Sequence, residues 1–449
     1  MIARSLTALV ALGAMVGALA WKPPSEAIEP QAAPSEFEVA AVDLPLACPG
    51  RVIPPLGDTS GGGDTSGAGS LDPDESPSSH EVLTSDGERA SAIGAGFASP
   101  SDVATEMERV SRGDLAGLAA AACEEPRLET WLVGGSTRIG DSARLVLTNP
   151  ADTTTVVSVT IYGPTGAIDQ PLVRSVGPGA QESLLLEGVA VDLASLVVHV
   201  KADGAGVVAA IQDSRLDGFQ PAGTDWVLPA ADPARQVVLP GVGPSDPASP
   251  AGPAVLRMMA PDGARVTLTL VDETGEVPWP GTSSLALEPG VPVDIDLPAS
   301  TLGSVFIDAS SPVIAAAVTR IARAPEEGRA ADVARDLAWV RAQVPVAPGL
   351  WRAVVPGFEV AISAYAYEVT RFRAVDAVTG TIYVEWSLGK GQTVTIPLGA
   401  PEGTVLRVEG DVVWSLRVTD DPGFLASITP TNIAHPATSV TVWPGVYAP

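Results

Sequence analysis

Residue types that build metal sites and nucleophilic catalytic sites are scarce in this chain. Its 449 residues include only three histidines and two cysteines. His80, His199 and His435 are too dispersed to predict a metal site, and no paired cysteine spacing typical of zinc occurs. Fragments that resemble catalytic motifs lack the structural context that their chemistry requires. We therefore predict no catalytic residue, no metal and no cofactor.

Basic charge is also scarce. The chain has 26 Lys and Arg residues against 53 Asp and Glu residues, which gives a formal net charge of −27. A protein this acidic, without a basic patch, repels phosphate backbones. We therefore expect no nucleic-acid partner.

Long apolar runs are absent except at the N-terminus. Arg4 precedes an uncharged apolar run over residues 5–20, which ends in the small-residue pattern of Ala18 and Ala20. This arrangement is typical of an export signal. We predict that residues 1–20 are a signal peptide or membrane anchor, since the run is also near the lower length of a membrane span. The protein is then extracytoplasmic, either secreted or anchored to the cytoplasmic membrane, and touches the membrane only through this segment.

The two cysteines, Cys48 and Cys123, suit an exported protein with one disulfide bond. Such a bridge ties the start of the mature protein to the edge of the repeated region. On the loop-entropy model it contributes about 4 kcal/mol. Two independent buried thiols are the alternative.

Strand-like segments recur three times along the chain, with a period of about a hundred residues. Residues 293–297 alternate apolar side chains with aspartates, as a sheet with one wet face requires. The pattern predicts a mainly β fold of tandem antiparallel β-sandwich modules, immunoglobulin-like, with an N-terminal export segment and little helix. Trp443 repeats the tryptophan that opens each copy, so a closed propeller-like ring is the alternative.

Shifts in composition predict the domain boundaries. Residues 57–79 are low in complexity and predict a disordered loop, and residues 101–122 have the caps and alanines of a helix. The expected organisation is a signal or anchor (1–20), a Pro/Ala/Glu-rich tether (21–47), an N-terminal region (48–126) and three β-modules (127–222, 223–335 and 336–449).

Tryptophan is the residue type for which a functional interpretation competes with a structural one. Three tryptophans at equivalent positions of the copies predict core anchors, and two more lie inside strands and predict core positions as well: Trp131, Trp226, Trp339, Trp386 and Trp414. Trp279 and Trp351 lie next to loops. We therefore expect these two to be exposed and name them as the candidate contacts to a glycan or partner.

Four stretches carry a resemblance to a known family: the signal segment, residues 46–49, residues 117–123, and residues 131–137 continuing through 145–150 to 159–163. Together they resemble a family of exported proteins of unknown function from actinobacteria. Its members often lie beside a large membrane protein that resembles a glycosyltransferase. The resemblance implies an envelope location and a role tied to surface polysaccharide or lipid-linked glycan. No catalytic residues carry over from it.

The sequence therefore predicts a non-enzymatic extracytoplasmic binding or accessory protein of the cell envelope. Its expected partner is an envelope glycan or a membrane protein that handles one. Two alternatives stay open. One is a purely structural spacer, with modules in a straight, loosely contacting row. The other is an envelope hydrolase or transferase whose site lies between modules.

Overall fold

The computed structural model describes residues 35–39, 46–54, 78–84, 89–90, 97–98, 103–170, 172–218, 220–323, 334–345, 351–421, 423–432 and 438–442. The predicted export segment, Trp443 and most of the predicted disordered loop lie outside these ranges. The described part of the chain contains no helix with the length and hydrophobicity of a membrane span.

An N-terminal sheet precedes the predicted modules. The first described strands are β1 (Ser35–Val39), β2 (Leu46–Ala47), β3 (Ser78–Thr84), β4 (Arg89–Ala90), β5 (Phe97–Ala98), β6 (Ala104–Val110) and β7 (Gly117–Ala122). Strands β4, β3, β6 and β7 form a four-stranded antiparallel sheet in that order, and β2 pairs with β5. The predicted disulfide is present and joins Cys48, directly after β2, to Cys123, directly after β7.

The expected helix over residues 101–122 is wrong, because this segment forms β6 and β7. The alanines that raise its helix propensity are needed for another reason. Leu118 and Ala120 of β7 pack into the core of the third module, and Ala119 and Ala121 pack against Trp226 on the other face. A strand buried on both faces loses the alternation of polar and apolar residues that identifies strands.

The first module is a sandwich of two antiparallel sheets. Its strands are β8 (Glu129–Val133), β9 (Asp141–Asn149), β10 (Thr155–Gly163), β11 (Gly166–Ala167), β12 (Leu172–Val176), β13 (Ala180–Leu185), β14 (Val197–Ala202), β15 (Val208–Asp217) and β16 (Gln220–Val227). One sheet runs β11-β10-β14-β8, with β12 also on β10, and the other runs β13-β9-β15-β16. Side chains from both sheets form one core. A short 3-10 turn at Leu186–Gly188 lies between β13 and β14.

The second module is built around one long strand. Its strands are β17 (Ala234–Val242), β18 (Val255–Met259), β19 (Ala264–Asp272), β20 (Gly275–Val277), β21 (Leu285–Leu287), β22 (Val293–Asp296), β23 (Gly303–Arg323) and β24 (Ala334–Arg341). The first half of β23 pairs with β17 and β19, and its second half pairs with β18 and β24. The strand therefore belongs to both layers of this module.

The third module repeats the two-sheet arrangement. Its strands are β25 (Trp351–Val354), β26 (Glu359–Ala366), β27 (Thr370–Asp376), β28 (Ile382–Leu388), β29 (Thr393–Pro397), β30 (Val405–Glu409), β31 (Val412–Asp420), β32 (Phe424–Ile428) and β33 (Thr431–Asn432). The sheets run β28-β27-β30-β25-β33 and β29-β26-β31-β32. The mainly β, antiparallel sandwich fold is thus confirmed, and the described strands form neither a closed barrel nor a propeller.

Two of the expected module boundaries fall inside strands. The boundary at 222/223 lies within β16, which pairs with β15 of the first module. The boundary at 335/336 lies within β24, which pairs with β23 of the second. Trp226 and Trp339 therefore lie in the last strand of one module rather than the first strand of the next.

Residues 43–434 form one compact unit. Residues 1–42 and 435–449 form a separate unit, in which β1 and β34 (Thr438–Val442) make an antiparallel pair with Ser35 opposite Val442.

Four edge strands meet inside the larger unit: β7, β16, β24 and β32, one from each sheet system. We call this meeting point the junction. An edge strand exposes backbone N–H groups that have no partner in their own sheet. Here two buried aspartates accept hydrogen bonds from them. Asp225 of β16 accepts from Ala120 (3.2 Å) and Trp339 (2.8 Å).

Asp336 of β24 likewise accepts hydrogen bonds from edge strands, in this case β7 and β32. Its Oδ2 accepts hydrogen bonds from the backbone N–H groups of Leu118 (3.2 Å) and Leu425 (2.8 Å). The strands lie so close that a Cβ on Gly117 would come within 2.6 Å of the backbone nitrogen of Thr224. Glycine is therefore required at this position, and the junction joins the N-terminal sheet to all three modules.

Candidate functional site

A cleft of about 280 Å³ lies where the modules adjoin. Its walls come from connecting segments rather than from strand centres: Glu124 to Arg127 after β7, Pro229 to Asp232 after β16, Arg341 to Val344 at the end of β24, Trp351 at the start of β25, and Thr429 to Asn432 around β33. Binding residues commonly lie on such connections, held by a rigid scaffold. The N-terminal sheet region and all three modules contribute to this one cleft.

Backbone hydrogen bonds hold the walls in place. The N–H of Ala230 donates to the carbonyl of Trp131 (2.9 Å), and the N–H of Ala231 donates to the carbonyl of Ala342 (3.1 Å). Gln343 exchanges two backbone hydrogen bonds of 2.8 Å with Val238. The segments are thus fixed by neighbouring strands, so the cleft is preformed in this structure.

An ionic group forms one side of the cleft. Glu124 is almost fully buried, and its two oxygens contact different guanidinium groups: Oε1 lies 2.5 Å from Arg341 and Oε2 lies 3.3 Å from Arg127. Arg341 also donates to the carbonyls of Pro229 (3.0 Å) and Thr429 (3.4 Å). The carboxylate therefore joins the N-terminal region to the second module at the cleft.

The disulfide lies directly behind this ionic group. Glu124 follows Cys123, and it exchanges two backbone hydrogen bonds with Ala47, which precedes Cys48 (2.9 and 3.0 Å). The hydroxyl of Thr431, in the cleft wall, donates to the carbonyl of Cys123 (3.3 Å). The bridge therefore limits how far the Glu124 backbone can move.

Trp351 supplies the aromatic surface of the cleft. The residue is half-buried, and its indole N–H is buried without a hydrogen-bond partner among the described residues. Buried N–H groups in proteins are nearly always paired, so this donor is an exception among the described residues, and the indole meets the cleft through its ring rather than through its N–H. The structure places this candidate residue in a site with other polar groups.

Trp279, the other candidate, lies elsewhere. It is half-buried and packs against the core of the second module, and the hydroxyl of Thr282 donates to its carbonyl (2.7 Å). It does not line the cleft. The structure therefore does not bring the two candidate tryptophans together, and Trp279 remains a separate prediction.

The remaining tryptophans test the core assignments. Four of the five expected core positions are buried: Trp131, Trp226, Trp339 and Trp414. Trp386 was expected in the core and is 49 % exposed. The reason is that β28 is the edge strand of its sheet, so nothing covers the outer side of the ring.

The two aspartates of the junction have pKa values above the usual range of an aspartate. Burial raises the pKa of Asp336 to about 8, although backbone N–H groups and the Arg323 guanidinium favour the charged form. Burial likewise raises the pKa of Asp225 well above its usual value, and the neighbouring Asp336 raises it further. A small cavity of about 10 Å³, room for about one water, lies between the junction and the cleft, and Arg341 and Thr429 line both spaces.

Two of the stretches that carried the family resemblance have structural roles. In residues 145–150, the buried Asn149 donates its side-chain amide to the carbonyls of Thr153 (2.7 Å), Val176 (3.0 Å) and Gly177 (3.0 Å). Residues 117–123 form the packed strand β7 and one half of the disulfide. These stretches shape the module and the junction rather than the cleft walls.

The fold and the cleft define an all-β, disulfide-bridged protein with a polar cleft between its modules. The chain belongs to a family of unknown function, DUF5719, whose family model matches residues 79–399. This agrees with the expectation of a family without an assigned activity. No curated protein matches the chain.

Two solved structures show weak likeness. One is the crystal structure of Thermotoga maritima 1070, which is 14% identical with a TM-score of 0.20 and covers 24% of this chain and 96% of its own. The other is the BSP domain of a biofilm associated protein, at 8% identity and a TM-score of 0.13, covering 78% of this chain and 64% of its own. At these TM-scores neither likeness carries an inference.

Sequence reasoning named Trp351 as a candidate contact but did not name the ionic group that lines the same cleft. The signal was modest: Glu124 directly follows a cysteine, and Arg341 follows Trp339 by two residues. With 53 acidic residues, no single one could be selected from the sequence. Glu124 and Arg127 are three residues apart, but Arg341 comes from a distant part of the chain and meets them only through the fold.

Proposed function

We propose that this protein is a non-enzymatic, extracytoplasmic binding or accessory protein of the cell envelope, and that its cleft binds a sugar residue of an envelope glycan. The observation that carries the proposal is the position of Trp351, a half-buried indole in the wall of a preformed polar cleft. A membrane protein that carries or handles the same glycan is an equivalent partner. The predicted export segment is the expected point of membrane contact.

The chemistry of the cleft matches a sugar. A sugar ring has an apolar face, which can pack on an indole, and a rim of hydroxyl groups that both donate and accept hydrogen bonds. The cleft offers the half-buried indole of Trp351 as an apolar surface and the exposed carboxylate of Asp232 as an acceptor. Its volume of about 280 Å³ is at the small end of ligand pockets, which suits one sugar residue better than a long segment.

The state of Glu124 supports a binding role over an enzymatic one. A hydrolase of glycosidic bonds needs a carboxyl group that is able to give or take a proton at the substrate. Both oxygens of Glu124 already contact guanidinium groups. Glu124 is therefore committed to contacts within the protein, and an envelope hydrolase or transferase, which would have to use Glu125 and Asp232, is the less favoured alternative.

The arrangement of the modules supports a binding role over a spacer. A spacer is expected to hold its modules in a loosely contacting row. Here residues 43–434 form one compact unit, and Asp225 and Asp336 bond the edge strands of four sheet systems to one another. Such packing keeps the cleft walls at fixed separations.

The disulfide supports an extracytoplasmic location. Disulfides form and persist in oxidising compartments and are rare in the cytosol. The bridge between Cys48 and Cys123 agrees with the export signal predicted over residues 1–20.

Titration of the full chain with oligosaccharides tests the proposal. The probes are maltotetraose, mannotetraose and galactotetraose, followed by isothermal calorimetry. We expect at least one to bind, and Trp351→Ala to weaken binding by about tenfold or more, as expected for a central aromatic contact. Mass spectrometry of the recovered sugar is expected to show it unchanged.

Trp386→Ala is the control, because it removes an exposed indole that does not line the cleft and is expected to leave binding unaltered. Equal losses for both variants, or cleavage of the sugar, would contradict a binding role of the cleft.

A further inference from the structure

The charges around the cleft are unequal in number. Its lining contains three carboxylates, Glu124, Glu125 and Asp232, against two guanidinium groups, Arg127 and Arg341. The whole chain also carries a formal charge of −27. A ligand that approaches the cleft therefore meets a negative potential at long range and a small negative excess at short range.

Both guanidinium groups of the lining already contact Glu124. Arg341 contacts Glu124 and two backbone carbonyls, so its donors are largely used within the protein. Arg127 contacts the other oxygen of Glu124 through one nitrogen, and its side chain is 38% exposed. At Arg341 an acidic ligand group would have to displace the buried carboxylate, which would then lose a partner inside the protein. At Arg127 it would meet a cation among the three carboxylates of the lining.

We propose that the cleft selects uncharged sugar residues and excludes uronic acids and phosphorylated sugars. The proposal rests on the proposed function and names the ligand class for the same site. Discrimination comes from the surplus of carboxylates and from Glu124, which occupies Arg341 and contacts Arg127. Asp232 is an exposed carboxylate of the lining.

The test compares neutral and acidic probes on the full chain by calorimetry. The neutral probes are those named above, and the acidic probes are oligogalacturonate and a phosphorylated tetrasaccharide. We expect the acidic probes to bind at least tenfold more weakly at about 50 mM NaCl. The difference is expected to shrink at about 500 mM NaCl, because salt screens the exposed charges.

A charge variant locates the cause. Asp232→Lys replaces an exposed carboxylate of the lining by an ammonium group without touching the buried ionic group. We expect it to raise affinity for oligogalacturonate severalfold and to weaken binding of the neutral probes, which lose a hydrogen-bond acceptor. Asp296→Lys, an exposed aspartate of β22 that does not line the cleft, is the control and is expected to change neither.

The outcomes separate the two proposals. If acidic probes bind the wild-type chain as tightly as neutral ones, or more tightly, the selectivity is wrong while the binding function stands. If neither class binds, the proposed function is overturned and the selectivity with it. If Asp296→Lys acts as strongly as Asp232→Lys, the discrimination comes from the overall charge and not from the cleft.

Discussion

Glu124 in the cleft and Asp336 in the junction are both buried carboxylates, and the protein treats their charge in opposite ways. Glu124 lies between two guanidinium groups. Asp336 accepts hydrogen bonds from backbone N–H groups of two other strands, and burial raises its pKa to about 8. Because Glu124 is paired with cations, the wall of the cleft stays polar there. A carboxylate held by N–H groups instead replaces the missing strand partners at a packed interface.

The comparison also separates the parts of the molecule by role. The junction lies deep in the unit, uses small residues such as Gly117 and Ala120, and joins strands directly. The cleft lies on the connecting segments that leave those strands, and Arg341 belongs to both regions through β24. Stability is therefore expected to depend mainly on the junction, and ligand binding mainly on the cleft.

The largest effect is expected for Asp336→Ala. The change removes the acceptor of the Leu118 and Leu425 N–H groups and leaves both donors buried. Each buried unpaired donor costs about 1–3 kcal/mol, so we expect a loss of about 3–5 kcal/mol in the free energy of unfolding. Urea denaturation followed by circular dichroism measures it.

Asp217→Ala is the matched control for this change. Asp217 pairs with Arg335 near the junction, but its side chain is 63% exposed, and exposed ion pairs contribute about 0–1 kcal/mol. A loss at Asp336 no larger than the loss at Asp217 would show that the aspartate does not hold the edge strands together.

The next effect is a dependence of stability on pH. An unfolded aspartate titrates near pH ~4, whereas Asp336 in the fold has a pKa of about 8. Between these values the folded chain holds a proton that the unfolded chain has released. The stabilisation is therefore complete below pH ~4 and is lost as the pH rises through about 8, by on the order of 2–5 kcal/mol.

Asp336→Asn removes this contribution, together with the part of the raised pKa of Asp225 that Asp336 causes, because asparagine keeps the shape and an acceptor but does not titrate. Other aspartates, such as Asp272 and Asp376, have pKa values lowered by hydrogen bonds that outweigh burial and act in the opposite direction. The contributions of Asp272 and Asp376 are the same in wild type and in Asp336→Asn, so they cancel in the difference between the two melting temperatures. We expect wild type to lose stability relative to Asp336→Asn between about pH 5 and about pH 9. A constant difference would mean that Asp336 is ionised throughout.

Much of the fold was predictable from the sequence, because it rests on local patterns. The alternation in strands such as β22 and the regular turns predicted antiparallel sandwiches, and two cysteines in a chain with a predicted export signal predicted one disulfide. The same logic failed at β7, where burial on both faces removed the alternation and left an alanine-rich segment that resembles a helix. It failed again at Trp386, because a strand pattern does not reveal which strand is at the edge.

The junction and the ionic group of the cleft were beyond the reach of sequence patterns. Asp225 and Asp336 lie in strands where an aspartate normally marks the wet face, yet both are buried. Their carboxyl oxygens accept hydrogen bonds from residues more than a hundred positions away, Leu118 and Ala120. Only the packing of four edge strands explains their positions. Trp351 was identifiable because it lies next to a loop, but its neighbours in the cleft were not.

The smallest effect is expected for Glu124→Gln. The amide can still accept a hydrogen bond from Arg341 or Arg127, but it no longer neutralises them. Since hydrogen bonds to charged groups contribute about 1.5–3 kcal/mol and part of each is retained, we expect a loss of about 1–2 kcal/mol in the free energy of unfolding. The freed positive charge should also strengthen binding of oligogalacturonate. If the loss equals that of Asp336→Ala, the carboxylate of the cleft is as structural as the one in the junction, and the division between the two regions does not hold.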